Sequence, residues 1–431
     1  MNLAEFDRVS ATFTAFHQEF APLFGRREAR QRSEQYLRGL LIQQTDRRNA
    51  ENVAEAIEGA TPRALQRLLT EAPWKTAPVI DRLQQYLGPR LSTALGVFVL
   101  DETGFPKKGT KSVGVARQYC GTLGKVGNCQ LGVFLAYVSE RGHALIDARL
   151  YLPREWIDDP LRCRAAGVPA DVTYQSKAAL ALAMLTHART VGALVGPWVT
   201  ADADYGKVPT LRDALDAAGW HYVLEVPSTT SVFVEAAEAV VPVWSGHGRK
   251  PTQPRLAEGA PHAQSIAEWV AAVTPAQWKV LTVAEGAQGP RSYQFVGQRG
   301  WESRDGVPGR ESWLVARRPL AGSELKYYLS NAPADTPLPT LGQVGAGRWP
   351  IETEFQTEKG ETGLDEYEVR GWDGWHHHIT LALLAGVFLL TIEQEWGEKS
   401  ARVDAPPGGA RAAGVAATPT LDRRRPLAVA A

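Results

Sequence analysis

The chain contains little cysteine, no net charge and no long apolar run. Its three cysteines, Cys120, Cys129 and Cys163, form no CxxC pair, which argues against a disulfide framework or a zinc ribbon. Lys plus Arg and Asp plus Glu number 47 each, which argues against a protein that coats nucleic acid non-specifically. With a polar, acidic start and no run of about 18 apolar residues, we expect no signal peptide, no membrane span and a cytoplasmic protein.

Basic residues are nevertheless clustered, and apolar residues, at 44%, are numerous enough for a sizeable core. Local basic patches can bind DNA while acidic residues elsewhere cancel the total charge. The patches are Arg26-Arg27 with Arg30 and Arg32, Lys107-Lys108 with Lys111, Arg249-Lys250, and Arg317-Arg318.

The hydrophobic pattern divides the chain into five segments. Residues 1–90 have helical periodicity with interleaved basic residues, which fits either a DNA-contacting helical domain or a solvated structural bundle. Residues 91–226 alternate strands and helices, residues 227–340 carry β-like runs, and residues 341–397 return to helix. Residues 398–431 are rich in Ala, Pro, Gly and Arg, and we expect them to be disordered. The predicted class is α/β, a mixed sheet with flanking helices, a β-rich insertion and a small helical N-terminal domain.

Strands and helices can be placed within these segments. The predicted core strands are Val97–Leu100, Gln130–Val138, His143–Leu150, Trp198–Ala201 and His221–Val226, and the predicted insertion strands are Trp278–Val283, Tyr293–Val296, Trp313–Ala316 and Lys326–Leu329. The predicted helices include Lys177–Ala193, Leu211–Ala218 and an apolar Trp375–Glu395 that closes the core.

Two aspartates follow buried strands. Asp101 comes directly after Val97–Leu100, and Asp202 directly after Trp198–Ala201. The carboxyl edge of an open α/β sheet is where ligands tend to bind. Each aspartate taken alone also fits an ordinary turn residue. Asp204 competes with Asp202, but it lies farther from the strand end, where aspartate is common in turns.

A third acid, Glu352, lies in a helix that Pro350 is expected to begin. At about 100° per residue, Glu352 and Lys359 lie within about 20° of one helix face, and Arg348 lies just before the helix. The alternative is a first-turn glutamate that complements the helix dipole, followed by a solvated charged helix. As a set, three carboxylates and two cations match the hard oxygen ligands and phosphate-binding charges of two-metal phosphoryl transfer.

Six segments, taken in this order, resemble the DDE transposases of bacterial insertion sequences. They are Val97–Pro106 (VFVLDETGFP), Arg117–Gln130 (RQYCGTLGKVGNCQ), Thr200–Lys207 (TADADYGK), Lys326–Asn331 (KYYLSN), Arg348–Lys359 (RWPIETEFQTEK) and Gly363–Leu383 (GLDEYEVRGWDGWHHHITLAL). The resemblance covers most of residues 10–395. It implies an RNase H-like core with a β insertion before the last acid.

The resemblance also implies roles for single residues. It makes Asp101, Asp202 and Glu352 the ligands of two Mg²⁺ or Mn²⁺ ions. It makes Arg348 and Lys359 the residues that grip phosphates at the transposon end. Tyr205 fits the Asp-x-x-Tyr pattern of the second acid, and we include it among the expected DNA contacts. One departure is Gly345, which stands where the family often has tyrosine.

The implied function is metal-dependent DNA cleavage at transposon terminal inverted repeats, followed by strand transfer into target DNA. A homodimer is expected because two ends must be brought together. Further DNA contacts are expected from the basic pairs Lys107-Lys108 and Arg249-Lys250. The alternatives are a transposase-derived DNA-binding regulator and a nuclease without strand transfer.

Two motifs are misleading. Gly121–Gly127 lacks the Gly-Lys-Ser/Thr ending of a nucleotide-binding loop, so we expect a loop that connects strands and lies near DNA. The three histidines His376, His377 and His378 suggest a metal site, but consecutive residues point in different directions around a helix. A place at the start of a helix or a phosphate contact fits them better.

Overall fold

The computed structural model describes residues 3–42, 47–286 and 289–403. The chain divides into two compact units, which we call unit 1 (Met1–Gly196 with Pro350–Ala431) and unit 2 (Pro197–Trp349). Asp101 and Glu352 therefore lie in unit 1, and Asp202 lies in unit 2. Of the predicted disordered tail, residues 404–431 lie outside the described residues, and the last helix runs to Val403.

Helices predominate at both ends of the described chain, and strands predominate between them. In chain order, the helices are α1 (Leu3–Phe20), α2 (Arg27–Leu41), α3 (Ala50–Ala56), α4 (Pro62–Thr70), α5 (Thr76–Leu91), α6 (Arg154–Ile157), α7 (Pro160–Ala165), α8 (Lys177–Val191), α9 (Ala203–Gly206), α10 (Pro209–Ala217), α11 (Ile266–Ala271), α12 (Leu338–Ala346), α13 (Trp349–Glu361) and α14 (Trp372–Val403). The strands are β1 (Val97–Pro106), β2 (Ala116–Cys120), β3 (Lys125–Ser139), β4 (Gly142–Tyr151), β5 (Trp198–Ala201), β6 (His221–Val226), β7 (Ser231–Phe233), β8 (Ala239–Val240), β9 (Arg255–Leu256), β10 (Gln264–Ser265), β11 (Lys279–Gly286), β12 (Gly289–Arg304), β13 (Val307–Pro319) and β14 (Lys326–Ser330).

Local sequence signals set several helix ends. The Thr61 side chain accepts the Ala64 N–H and caps α4, in which Pro62 is the first residue. Ser176 caps α8 through the Ala179 N–H. This helix ends at Gly192, whose φ of 68° is left-handed and favours glycine. The predicted helix Lys177–Ala193 is confirmed as α8, but its predicted end is two residues too late, because the glycine ends the helix at Val191.

In unit 1, β3 is the common partner of β1, β2 and β4, and all three pairings are antiparallel. The predicted strands Gln130–Val138 and His143–Leu150 are confirmed as parts of β3 and β4. The predicted end of the first strand is wrong, because β1 continues through Asp101 to Pro106. Asp101 lies opposite Phe134 in the ladder, so backbone pairing with β3 carries the strand past its apolar run.

In unit 2, the strand order is β10-β7-β12-β13-β14-β6-β5, with β11 on β12. Strands β5 and β6 are parallel, as βα units predict, and the other pairings in this sheet are antiparallel. Strands β12 and β13 are much longer than predicted. They form a hairpin around Asp305-Gly306, whose φ angles of 51° and 82° suit a tight two-residue turn.

Helix α14 is part of the unit 1 core. It packs against β4, α2, α4 and α5. Its segment Trp372–Glu395 is the one candidate membrane span among the described residues by length and composition, and 78% of the apolar window is buried inside the protein. An apolar helix buried in this way is a core helix, so it indicates no membrane.

The α/β class with a helical N-terminal region is confirmed.

Candidate active site

Asp101 lies in the middle of β1, on a face that α13 covers. Its side chain is 7% exposed, and its Oδ1 accepts the N–H of Glu102 at 2.8 Å. Because side chains alternate along a strand, Thr103 shares the face of Asp101. Phe134, the cross-strand neighbour of Asp101, also lies on this face.

Helix α13 contacts this face through two side chains. The ring centroid of Phe355 lies 5.1 Å from that of Phe134. The Lys359 Nζ donates to Thr103 Oγ1 at 2.8 Å and to Thr122 Oγ1 at 3.0 Å. Burial lowers the pKa of Lys359, with the nearby carboxylate of Asp365 opposing the shift. An ammonium group is therefore held, partly desolvated, beside the strand that carries Asp101.

Glu352 lies in α13, in the turn that follows Pro350. Its side chain lies outside the described part of the structure. Its backbone position is three residues before Phe355 and seven before Lys359. Positions with this spacing lie on one side of a helix, the side that Phe355 and Lys359 turn toward β1.

The Glu102 side chain does not lie on the strand face of Asp101. Its Oε1 lies 2.5 Å from the Lys177 Nζ of α8, on the other side of β1. The alternation of a strand predicts this outcome for the neighbour of Asp101.

Asp202 follows β5 directly, as predicted, and caps α9. Its Oδ1 accepts the N–H groups of Asp204 at 3.0 Å and Tyr205 at 3.3 Å. Burial raises its pKa, and the charge of Arg348 and the two N–H groups oppose this shift. Asp204 is exposed and forms an ion pair with Lys207 at 2.5 Å. The two acids thus differ: Asp202 is a partly buried carboxylate that is short of positive charge, whereas Asp204 is a solvated turn residue.

The turn after Asp202 is fixed by contacts on its buried side. Tyr205 is 2% exposed, so the predicted DNA contact, which needs a surface side chain, has no support in this conformation. The Arg212 Nη1 donates to the Gly206 carbonyl. Added to Gly206, a Cβ would lie 1.8 Å from the Glu225 carbonyl oxygen, so only glycine fits this close approach.

Arg348 lies between α12 and α13 in a largely buried position. Its Nε is 4.0 Å from Glu225 Oε2, which also attracts the Lys326 Nζ at 3.4 Å. Gly345, where the family often has tyrosine, is buried: a Cβ there would lie 3.3 Å from Val223 Cγ1 and 3.4 Å from the Tyr328 ring. The packing at this point leaves little room for a larger side chain.

The remaining predicted basic contacts are in different settings. The Lys107 Nζ lies 3.7 Å above the Tyr367 ring. Burial lowers the pKa of Lys107 to about 8, opposed by Asp365 and Glu368. Lys108 is exposed beside it. Arg249 and Lys250, the other pair expected to contact DNA, are exposed in the irregular segment 241–254 of unit 2.

The three consecutive histidines are structural. The Nδ1 atoms of His376 and His377 lie 2.9 and 2.7 Å from the carbonyl oxygens of Trp372 and Leu69, and that of His378 lies 2.9 Å from the Tyr36 hydroxyl. Burial lowers the pKa of His376 to about 3 and that of His378 to about 4. These rings are neutral and engaged in holding the start of α14, which agrees with the predicted place at a helix start and gives no support to a phosphate contact.

Sequence reasoning missed the two threonines that hold Lys359. Thr103 could have been found, because it follows Asp101 by two residues in a strand. Thr122 carries no such signal, because it reaches Lys359 only through the folding of the β2–β3 turn. That turn, Gly121–Leu123, is a 3₁₀ turn. The predicted loop is right up to Gly124 and wrong beyond it, since β3 begins at Lys125.

Among the described residues, no three His, Cys, Asp or Glu side chains are grouped to hold a metal ion. The donor chemistry still fits hard divalent cations, since Asp101 and Asp202 offer carboxylate oxygens. The raised pKa of Asp202 supports this fit, because a bound cation would supply the positive charge that the burial of this carboxylate lacks.

Comparison with known proteins gives one family. The family described as DDE superfamily endonuclease matches residues 19–290, which is more than half of the chain and includes Asp101 and Asp202. No curated protein matches the chain. The match agrees with the RNase H-like α/β fold expected from the sequence. The chain belongs to the DDE superfamily of endonucleases.

Proposed function

We propose that this endonuclease is a transposase that cleaves DNA at the terminal inverted repeats of a mobile element and transfers the freed strand to target DNA. Asp101, Asp202 and Glu352 hold two divalent ions, Mg²⁺ or Mn²⁺. Arg348 and Lys359 bind the phosphates beside the cleaved bond. The family supplies the class of reaction, metal-dependent cleavage of DNA.

The observation that carries the proposal is the position of Lys359. Its ammonium group is fixed by Thr103, two residues after Asp101 on the same strand face. Glu352 occupies the same side of α13 as Lys359. This arrangement supports one acid, one phosphate-binding cation and a second acid along a single face of unit 1.

The protein groups have separate tasks in this scheme. Carboxylates fix the ions and thereby the scissile phosphate, while Lys359 and Arg348 offset charge that develops on the phosphate oxygens. Bound Mg²⁺ or Mn²⁺ lowers the pKa of a water and stabilises the attacking and leaving oxygens. Burial of Asp101 and Lys359 strengthens their electrostatic effect, since both lie in a medium of lower dielectric constant than water.

The remaining parts of the proposal concern DNA and a second copy. The N-terminal helices, with exposed Arg26, Arg27 and Arg30, contact DNA outside the cleaved position. Two copies of the chain each hold one transposon end. Exposed Lys108 and the exposed pair Arg249-Lys250 add contacts to the phosphate backbone.

The test is magnesium-dependent nicking of DNA that carries the terminal repeats. Asp101→Asn, Asp202→Asn and Glu352→Gln should abolish nicking and leave binding of the ends intact. Asp204→Asn is the matched control and should nick as the wild type does. Nicking by Asp101→Asn at the wild-type rate would remove Asp101 from the mechanism.

Two further results separate the alternatives. Wild-type protein that binds the ends and never nicks them is a regulator derived from a transposase. Protein that nicks but fails to join precleaved ends to a target plasmid is a nuclease without strand transfer.

A further inference from the structure

The β2–β3 hairpin, which comprises Ala116–Cys129, has no role in the scheme above. Its strands pair in register from Ala116 opposite Cys129 to Cys120 opposite Lys125. The connection is the 3₁₀ turn Gly121–Leu123, followed by Gly124 in the left-handed region. The hairpin is therefore a well-defined element rather than an irregular loop.

The hairpin is fastened beside Lys359. The Thr122 Oγ1 donates to the Gly104 carbonyl at 2.8 Å and accepts from the Lys359 Nζ at 3.0 Å. Cys120 lies directly over Gly104, where a Cβ would come within 2.5 Å of its Sγ. These contacts place the turn within one side chain of the cation assigned to the DNA phosphate.

The opposite face of the hairpin is exposed and apolar. Tyr119 and Val126 are direct cross-strand neighbours, so their side chains lie together on one face. They are 58% and 52% exposed. An exposed aromatic ring beside an exposed valine on one strand face offers a small apolar surface against which a planar group can pack.

The stretch of sequence that contains the hairpin carries charge of one sign. No Asp or Glu occurs from Thr103 to Ser139, although the whole chain has as many acidic as basic residues. The same stretch contains five basic residues, which are Lys107, Lys108, Lys111, Arg117 and Lys125. Arg117 and Lys125 make no ion pair with any described residue, and the acids whose charge acts on Lys107, Asp365 and Glu368, belong to a later segment.

We propose that this hairpin binds the single-stranded end of the DNA, with an unpaired base stacked on Tyr119. Arg117 and Lys125 bind the phosphates of that strand as it leaves Lys359. The proposal rests on the proposed function, since it deepens the description of the same DNA-cleaving site. Aromatic side chains beside cations are how proteins hold single strands, because every base offers a π-face.

Two other occupants fit the surface less well. Intact duplex hides the faces of its bases, so it could use the cations but not the ring of Tyr119. A second copy of the chain would present the same patch in a two-fold contact. That contact would bring Arg117 and Lys125 of both copies into one interface without any acid in the stretch to offset them.

The experiment compares a labelled duplex with a short 3′ single-stranded overhang and a blunt duplex of equal length. The wild type should bind the overhang form more tightly. Tyr119→Ala should reduce overhang affinity by about tenfold and leave blunt affinity unchanged, because stacking contributes about 1–3 kcal/mol per base. Tyr119→Phe, which keeps the ring, should bind like the wild type. Arg117→Ala should weaken both forms and reduce the salt dependence.

Leu161→Ala, an exposed apolar residue of unit 1 outside the hairpin, is the control and should change neither affinity. A 2-aminopurine in the overhang should lose its stacking signal only with Tyr119→Ala. Equal overhang affinity for Tyr119→Ala and wild type overturns the proposal, as does a change in sedimentation mass without a change in DNA preference. If wild type binds the overhang through Tyr119 yet never nicks DNA, the proposed transposase function fails and the hairpin site stands.

Discussion

Lys359 and Thr103 join α13 to β1 through a hydrogen bond of 2.8 Å between Nζ and Oγ1. Thr103 follows Asp101 by two residues, so the bond fixes a cation on the strand face of the first acid. The bond thereby restrains the rotation of α13, which carries Glu352 and Lys359, about its own axis relative to β1.

The role of Lys359 is tested by Lys359→Met, which keeps the length of the side chain and removes its charge. We expect the single-turnover rate of DNA cleavage to fall by about 10²–10³, the usual loss when one preorganised donor to developing charge is removed. Thr103→Ser, which keeps the hydroxyl, should cleave at a near wild-type rate. Wild-type cleavage by Lys359→Met would show that the lysine only supports packing.

Asp202→Asn should stabilise the metal-free protein at neutral pH. Burial raises the pKa of Asp202, because the folded state disfavours its charged form. Below the ordinary pKa of aspartate the side chain is neutral in both states and the full stability of the fold is present. That stability falls as pH rises through the pKa of the folded state. Asparagine keeps the cap of α9 and removes the charge. Thermal unfolding should show a higher Tm for Asp202→Asn at neutral pH, with the difference vanishing in acid.

Added magnesium provides the complementary measurement. It should raise the Tm of the wild type and have little effect on Asp202→Asn, because a ligand that binds only the folded state stabilises it. A metal-free Asp202→Asn that is less stable than wild type at neutral pH contradicts the assigned burial of the charge.

Protonated His187 should stabilise the fold, so the free energy of unfolding should fall as pH rises. Its Nδ1 lies 3.2 Å from Asp147 Oδ2 and its Nε2 lies 2.6 Å from Asp81 Oδ1. The hydrogen bond to Asp147 is the largest cause that raises its pKa, with burial opposing. The stabilisation is fully present below the ordinary histidine pKa of 6.5 and is lost as pH rises through the raised value.

Urea unfolding of wild type and His187→Gln across this range provides the measurement. The difference in free energy of unfolding should be largest in mild acid and should shrink in alkaline solution. Asp81→Asn should change the profile less than Asp147→Asn, because Asp81 is partly exposed while Asp147 is fully buried. A pH-independent difference would mean that His187 stays neutral.

Glu302 should be among the most sensitive positions of unit 2. Arg212 binds it in a bidentate manner, Nε to Oε1 at 3.2 Å and Nη2 to Oε2 at 2.9 Å, and Arg304 binds the same carboxylate. Glu302→Ala leaves Arg212 buried without its partner, and we expect a loss of about 3–5 kcal/mol in the free energy of unfolding.

The exposed pair Arg67 and Glu71, with Nε to Oε2 at 3.0 Å, is the matched control. Glu71→Ala should cost less than about 1 kcal/mol, because solvent screens the pair. Since Arg212 also holds the Gly206 carbonyl, Glu302→Gln should slow DNA cleavage more than its change in stability alone explains. Equal costs for Glu302→Ala and Glu71→Ala in chemical denaturation would contradict a buried ion pair.

The order of strands and helices and the strand end at Asp202 could be predicted, because they depend on local patterns. Short apolar runs bounded by polar residues identified β5 and β6 with their exact ends. Pro350 identified the start of α13 to within one residue, since the helix begins at Trp349. The end of β1 was missed, since cross-strand pairing with β3 carries the strand through Asp101 and Glu102 into Pro106. The ends of β12 and β13 were missed for the same reason.

The sequence by itself determined the α/β class and the candidate acids, because these follow from residue spacing and from the periods of helix and strand. The resemblance of six segments to known transposases indicated the family. Only the tertiary structure decided which groups meet: Lys359 with Thr103 and Thr122, Glu102 with Lys177, and Arg212 with Glu302 and Gly206. Such contacts join residues far apart in the chain, and which of them form depends on how strands pair and helices pack.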